Sequence, residues 1–590
     1  MSTGTETDQR RRRRVRLSPM RPIPVEFAGE RAGEGPLTLG QLNIYNWLTQ
    51  DPGNVYAILC AELPVPEVVS ADDVAEAIGA LIARHESLRT SYVPGEQPRQ
   101  RVAAAGIQLL EVCSLGEGPW GPQDRPAAAE ALVLWLRESP DPARPMVRVV
   151  VAIAPGAGDR VIACVAAFSH LAVDHDAISI LKRDFAGLLG DPGRRPAGRP
   201  GHQPLDQAAL ETTPAERRRA DAALDYLREQ SRREPRCLYA LPGATTNGES
   251  LVVELASVAA AMAVRQVAAR TRTSRSSIVL AAICAVVALR AGYRILVFPV
   301  SSSNRFERHL VDYVGALAQV PIAIVEVGGK SFDELAGHTW TAVMDTSRHG
   351  RYDAVKRDAM AELMEHERGV PLNYHPMFNS LVPESWSGLT AGVGFQPEEI
   401  GIALARTELR WRPAPANGNP IQFSLSQIDG CLRLDAWDGD AGLVPRTEVE
   451  SVLLAVERLL VAAAHSDVPG GRMAGLIGLE PVTGPDRILV DHSWIDVAAV
   501  QRLAADAVAP AIARVFASAG GRPLVAYLVA TDDIQTPEQA HARCMAALAH
   551  HRTAITPCHY VICRTAPVNP DDPAAWSAPL AAGTGRAGNY

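Results

Sequence analysis

The chain has 590 residues, 47% apolar and 21% charged, with a net charge of −8. That length exceeds one ordinary core and predicts two to four domains of a soluble globular protein. The acidic balance gives no global basic signature for nucleic acid or an anionic membrane surface.

In chain order, residues 1–34 are rich in Arg, Thr, Gly and Pro and read as a disordered tail, with the run Arg10 to Arg14 plus Arg16 as solvated charge. "LSPMRPIPVEF" follows in place of an apolar h-region, so a signal peptide or twin-arginine export signal is not supported. From "GPLTLGQLNIYNWL" (35–48) the pattern is helical, with Leu39, Leu42, Tyr45 or Ile44, and Leu48 near helical spacing. "VYAILCAEL" (55–63) reads as a strand. In "SADDVAEAIGALIARHESLRTSYV" (70–93), Ser70 is placed to cap a helix whose face carries Val74, Ile78 and Ile82.

"MVRVVVAIA" (146–154) and "RVIACVAAF" (160–168) read as a hairpin joined by "PGAGD". Ile178, Leu181, Phe185 and Leu188 mark one face of a helix ending at Gly190. Residues 191–212, dense in Gly, Pro and Arg, read as a linker between a first lobe (35–190) and a second (213–468).

The second lobe opens on a helix near 213–230 and continues with a strand at 251–256 and the helix "VAAAMAVRQVAART". "IVLAAICAVVAL" (278–289), with 12 residues, is too short to span a membrane and reads as a buried core helix. Strands at 294–302, 320–327, 421–429 and 431–438 and helices at 331–366 and 447–464 complete the lobe. Gly and Pro at 469–484 mark a boundary before a last segment, 486–590.

Nine cysteines are scattered from Cys60 to Cys563 without a CxxC pair. No metal site is expected, and a reduced, cytoplasmic protein with buried free thiols is the better reading.

The chemistry concentrates in "FSHLAVDHDAISI" (168–180). A strand ending at Phe168 puts His170 on the turn into a helix, with Asp174 at the helix start, where it can accept helix N–H bonds. Spacing alone leaves two readings: a histidine that takes a proton from a nucleophile, or a satisfied histidine beside a helix cap.

The surrounding motifs resemble the condensation domains of non-ribosomal peptide synthetases, within the chloramphenicol-acetyltransferase-like acyltransferases. "SHLAVDH" (169–175) aligns with the family's HHxxxDG, and "PLTLGQLNIYNWL" (36–48) is similar to its opening helix motif. "ALIARHESLRTSY" (80–92) resembles "L..RHE.LRT.F", and "VFPVSSSNRFERHLVDYVGALAQVPI" (297–322) resembles the stretch with an Arg and then "VG". "NYHPMFNSLV" (373–382) and "IQFSLSQIDGCLRLDAWDGD" (421–440) are similar to the late strands, so the resemblance covers roughly 36–465.

It implies an α/β fold of two acetyltransferase-like lobes in a V-shaped pseudodimer, with His170 catalytic or substrate-positioning, Asp174 structural, and Arg305 its salt-bridge partner. Arg84, His85, Glu86 and Arg89 would serve the fold and the tunnel wall. Ser169, His175, Ser380 and Ser424 would line the substrate tunnel. Two positions depart from the motif: Ser169 replaces the first His and His175 the final Gly, which can mark a special backbone conformation or a close approach.

The implied reaction is direct acyl transfer from a carrier-protein thioester, tethered by a phosphopantetheine arm, to an amine or hydroxyl acceptor, with no covalently bound cofactor. A free-standing monomeric acyltransferase of specialised metabolism is expected. The alternative is a non-catalytic platform that recruits carrier proteins or tailoring enzymes. Heterocyclisation is disfavoured because paired aspartates are absent from 169–175.

Residues 486–590 resemble the small α+β C-terminal subdomain of adenylate-forming enzymes, through "RILVDHSWIDVAAVQRLA" (487–503) and "GRPLVAYLVATDD" (521–533). Its terminal lysine has no counterpart, since no Lys follows Lys356. Adenylation is therefore not expected of it; docking a partner, or capping the preceding fold, is.

Overall fold

The computed structural model describes residues 15–586 apart from 53, 55–56, 139–144, 156–159, 191–200, 236–250, 373–375, 383–393, 414–420, 439–443, 483–486, 518–523 and 552–553. The chain forms two compact units. The first holds the chain up to Asp221 together with Ser303–Gln319 and Arg351–Val355; the second holds the remainder.

The first unit contains β1 (Leu17–Pro19), β2 (Ile23–Ala28), β3 (Gly33–Pro36), α1 (Leu39–Gln50), β4 (Ile58–Leu63), α2 (Ala71–Arg84), β5 (Thr90–Val93), β6 (Arg99–Val102), β7 (Ala105–Leu115), α3 (Arg125–Glu138), β8 (Val147–Ile153), β9 (Val161–Ser169), α4 (His175–Gly190) and α5 (Pro204–Glu211), and α6 (Pro214–Ser231) begins in it. Its main sheet runs β1-β7-β8-β9-β4, with β2 also on β7, and a second sheet runs β3-β6-β5. The expected hairpin is β8–β9, paired antiparallel from Val147↔Phe168 to Ile153↔Val161; most of its connection, 156–159, lies outside the described residues.

β8 and β9 are near-continuous apolar runs because both faces are covered. On one face Val149, Val151, Ala166 and Phe168 pack with Ile78 and Leu81 of α2 and Leu181 and Phe185 of α4. On the other, Val150, Ala152, Ala163 and Val165 pack with Leu132 and Leu136 of α3. Ser70 caps α2 as expected, in a reciprocal capping box with Asp73.

Three expectations need correction here. The tail does not extend to residue 34: β1 and β2 pair with β7, and β3 with β6. Pro19 and Pro24 obscured those strands, yet proline is tolerated where a strand is paired on one side only. The linker does not extend to residue 212 either. Residues 191–200 lie outside the described residues, but α5 starts at Pro204, and a first-turn proline starts a helix as readily as it punctuates a loop. Finally, α1 buries Ile44, one of the expected positions, together with Gly40 and Gln41, while Leu39, Leu42 and Leu48 are only half-buried. A Cβ on Gly40 would stand 2.2 Å from the Ala316 carbonyl oxygen, so that face admits only backbone-to-backbone approach.

The second unit contains β10 (Leu251–Ser257), α7 (Val258–Thr271), α8 (Arg275–Ala291), β11 (Ile295–Pro299), β12 (Ile322–Glu326), α9 (Phe332–Arg348), all but the first two residues of α10 (Ala354–Arg368), β13 (Met377–Ser380), α11 (Pro397–Leu404), β14 (Glu408–Pro413), β15 (Gln422–Gln427), β16 (Leu432–Asp438), α12 (Arg446–Ala463) and α13 (Gly470–Ile477). Its five-stranded sheet runs β13-β15-β16-β10-β14. α12 packs on β10 and β16 of the sheet, and α8, held among α7, α9 and α12, is fully buried from Ile278 to Ala288 as its composition predicted. No single helix among the described residues is long and apolar enough to cross a membrane. α13 occupies the expected boundary stretch and sends Met473 and Ile477 into the preceding core.

The last segment, also in the second unit, contains β17 (Arg487–Val490), β18 (Ser493–Asp496), α14 (Val497–Val508), β19 (Ala513–Ala517), β20 (Leu524–Val529), α15 (Pro537–Ala547), β21 (His559–Cys563) and β22 (Pro579–Gly583). Its own core takes in Val370 from upstream. Trp494 Nε1 donates to the Gly292 carbonyl at 3.0 Å, Arg368 Nε to Asp491 at 2.9 Å, and the Thr556 amide to the Gly369 carbonyl at 2.9 Å.

Candidate active site

The turn between β9 and α4 is built by its own backbone. Ser169, the last residue of β9, accepts through its carbonyl from the amides of Ala172 and Val173, and through Oγ from the Leu171 amide. His170 follows, its amide donating to the Ala57 carbonyl at 2.8 Å. This places a half-buried imidazole at the end of a fully buried strand.

His170 Nδ1 lies 2.9 Å from the Val173 carbonyl oxygen. A carbonyl can only accept, so in the neutral ring Nδ1 carries the proton and Nε2 keeps its lone pair. Burial pushes the imidazole below its ordinary value, against its own backbone hydrogen bond and the Asp174 charge, which raise it. The side chain is therefore held as a neutral base with a defined basic nitrogen. Trp47 of α1 stands edge-on to the ring, with centroids 6.2 Å apart and planes at 84°.

Asp174 does both things the sequence allowed. Its Oδ1 accepts from the Ala177 amide at 2.9 Å, capping α4. The carboxylate also takes both terminal nitrogens of Arg305, at 2.7 and 2.8 Å, and the amides of Leu317 and Ala318. Burial alone would push this carboxyl up; Arg305 and the amides outweigh it and hold it below the usual carboxylate range. Arg305 donates as well to the carbonyls of Ser303 and Gly315. Asp174 thus commits its oxygens to Arg305 and to backbone amides and anchors Ser303–Gln319 to the turn. All of these residues belong to the first unit.

His175 is exposed and is the first residue of α4, outside the residues with left-handed backbone. No backbone conformation reserved for glycine is required there. Ser380 and Ser424 lie in the second unit on the neighbouring strands β13 and β15, where Ser380 Oγ meets Ser276 Oγ at 3.1 Å and Ser424 Oγ accepts from Gln422. Part of the quoted stretch before Ser380, residues 373–375, lies outside the described residues.

Arg84 and His85 hold Asp184 of α4, at 3.2 and 3.1 Å. That carboxyl is held down at about 2: burial would raise it, and hydrogen bonds from His85 and Arg183 prevail. Glu86 pairs with Arg31, and Arg89 donates to the carbonyls of Arg31 and Ala103. The RHE stretch is therefore a buried brace between α2, α4 and the N-terminal strands.

Three residues near the turn escaped the sequence reading: Trp47, Tyr92 and Gln41. Trp47 and Gln41 lie in the opening helix motif and Tyr92 closes the RHE segment, but helical spacing does not single out these side chains.

No family model matches the sequence. The phosphinothricin tripeptide synthetase PhsC of Streptomyces viridochromogenes is 27% identical over 333 residues, 53% of this chain and 30% of that protein. The chain thus spans less than a third of that relative's length. Among solved structures, that of condensation domain-mediated chain release from the enacyloxin polyketide synthase matches with a TM-score of 0.57 at 19% identity, over 75% of this chain and 85% of that one. The condensation domain of the monacolin K polyketide synthase MokA matches with a TM-score of 0.56 at 15% identity, over 74% and 99%. The chain has the fold of condensation domains.

Proposed function

We propose that this protein is a condensation-type acyltransferase that joins a carrier-protein-bound acyl or aminoacyl thioester to an amine or hydroxyl acceptor. The observation that carries the reading is the His170 geometry: Nδ1 committed to the Val173 carbonyl, leaving Nε2 as acceptor on a turn clamped by Asp174 and Arg305.

The acceptor's N–H or O–H gives its proton to Nε2 as its heteroatom attacks the thioester carbonyl carbon. The new C–N or C–O bond forms, the C–S bond breaks, and the departing thiolate takes the proton back from the imidazolium. Nothing in this sequence requires an acyl-enzyme. A phosphopantetheine arm is the tether this chemistry calls for, because it delivers the acyl group as a thioester. The last segment, sharing hydrogen bonds and a core with the rest of the second unit, fits the capping role rather than adenylation.

The test is intact-protein mass spectrometry of carrier-loaded donor with a panel of amines and alcohols, comparing wild type with His170→Ala. Transfer by wild type and a loss of about 10²-fold or more in the variant supports the reading. Transfer unaffected by the substitution removes His170 as base. A donor left unchanged by every acceptor, with carrier binding retained, assigns the fold to recruitment instead.

A further inference from the structure

Some bonds that shape the catalytic turn are local to it, Ser169 to Ala172 and Val173 and His170 to Val173; others come from afar, His170 to Ala57 ahead of β4 and Asp174 to Arg305, Leu317 and Ala318. A further bond arrives from β5. The Tyr92 hydroxyl, on β5, donates to the Leu171 carbonyl at 2.7 Å, directly after the histidine. With its proton committed there, the phenol oxygen accepts from Gln41 Nε2 at 3.3 Å. Gln41 is fully buried in α1, and its Nε2 also reaches Gln100 Oε1 at 3.1 Å. Gln100, fully buried too, donates to the carbonyls of Pro36 and Pro204. The other end of the Gln41 amide accepts from the Thr38 amide in the α1 capping box.

The consequence is directional. Each amide in the chain has its donors and acceptor assigned, so none can turn without leaving a buried polar atom unpaired. The phenol is thereby fixed in place, and through one short bond it fixes the Leu171–Ala172 peptide. α1 reaches the turn twice, through Gln41 and Tyr92 on one side and through Trp47 against the imidazole on the other.

We propose that Tyr92 is a positioning residue for His170, its hydroxyl holding the Leu171 peptide so that Nε2 keeps one orientation toward the acceptor. The inference rests on the reading of His170 as the base. The phenol itself is directed at a backbone carbonyl, which separates it from the reacting atoms.

The test uses the full chain and Tyr92→Phe, which keeps the ring and removes one oxygen. The first readout needs no substrate: carbethoxylation of His170 by diethyl pyrocarbonate, followed by peptide mapping across pH. A loosened turn admits water, so the reaction midpoint at His170 rises toward the ordinary imidazole value, by roughly half a unit or more. The second readout is the transfer assay, in which kcat falls by about ten-fold with KM little changed. Tyr226→Phe, a control in the second unit whose half-buried hydroxyl is bonded to Thr346, leaves both readouts at wild-type values. An unchanged His170 midpoint and unchanged kcat in Tyr92→Phe overturns the proposal. A shifted midpoint in a protein whose turnover survives His170→Ala supports the positioning role while removing the histidine as base, so the two failures are told apart.

Discussion

Arg305 meets Asp174 across 131 residues of chain, laying both terminal nitrogens on one carboxylate that also receives two backbone amides and caps α4. The pair joins a segment that sits far downstream in sequence to the turn that holds His170. Removal of either partner is expected to act first on folding.

Arg305→Ala leaves a carboxylate buried without a counter-charge, an expected loss of about 3–5 kcal/mol in stability. Arg305→Lys keeps the charge but not the two-pronged geometry and is expected to fall between the two. Urea unfolding of the full chain checks both; an alanine variant as stable as wild type contradicts the architectural role.

The depressed Asp174 carboxyl sets a pH dependence. A carboxyl held below its unfolded value adds stability above that value and loses it as pH falls through the folded one. The stability gap between wild type and Asp174→Asn is therefore full near neutrality and shrinks below about pH 4. Thermal unfolding at several pH values measures the gap.

Glu211 behaves oppositely. Burial pushes its carboxyl up to about 7, only partly offset by hydrogen bonds from Gln207 and from the Leu39 amide at the start of α1. A raised carboxyl favours the fold at low pH, and that contribution is lost as pH rises through about 7. Glu211→Gln is expected to gain stability relative to wild type at pH 8 and to lose that gain at pH 5. Melting curves at the two pH values decide it; the same difference at both would place the titration elsewhere.

The neutral His170 predicts the acid limb of the rate profile. With the imidazole below its ordinary value, kcat/KM for transfer is expected to hold down to pH 6.5 and to fall with one proton below it. A pH–rate profile with a carrier-bound donor checks this, and a midpoint well above 6.5 speaks against His170 as the group titrating.

Gly369 tests the attachment of the last segment. Its φ is +68°, and a Cβ there would stand 1.9 Å from Thr556 Oγ1. Gly369→Ala is expected to cost about 1–3 kcal/mol from backbone strain, with the clash in addition. Hydrogen exchange across α14 and β21 is expected to rise in the variant, and unchanged protection would show the junction carries little of the segment's stability.

Much of this was legible in the residues. β8, β9 and α8 announced themselves because a run that is apolar on every side has only one place to go. His170, Asp174 and Arg305 were named together through ordered motifs, and the structure brings them to one turn. Local periodicity fails where polar residues do the packing. Gln41, Gln100 and Tyr92 lie in the interior as a hydrogen-bonded chain, and no apolar pattern signals such a chain. The proline-bearing strands β1 and β2 failed for another reason: whether a strand sits at a sheet's margin is a tertiary fact.

Ser303–Gln319 leaves the second unit's sequence and completes the first. Read as an order of synthesis, the first unit emerges from a ribosome long before the arginine that neutralises Asp174 or the backbone that packs on Gly40. Until residue 319 is out, the nascent lobe carries a buried carboxylate without its partner and an uncovered helix face. A stalled or truncated chain ending ahead of that point has every residue of the turn at His170 but lacks the arginine and the backbone amides that clamp Asp174.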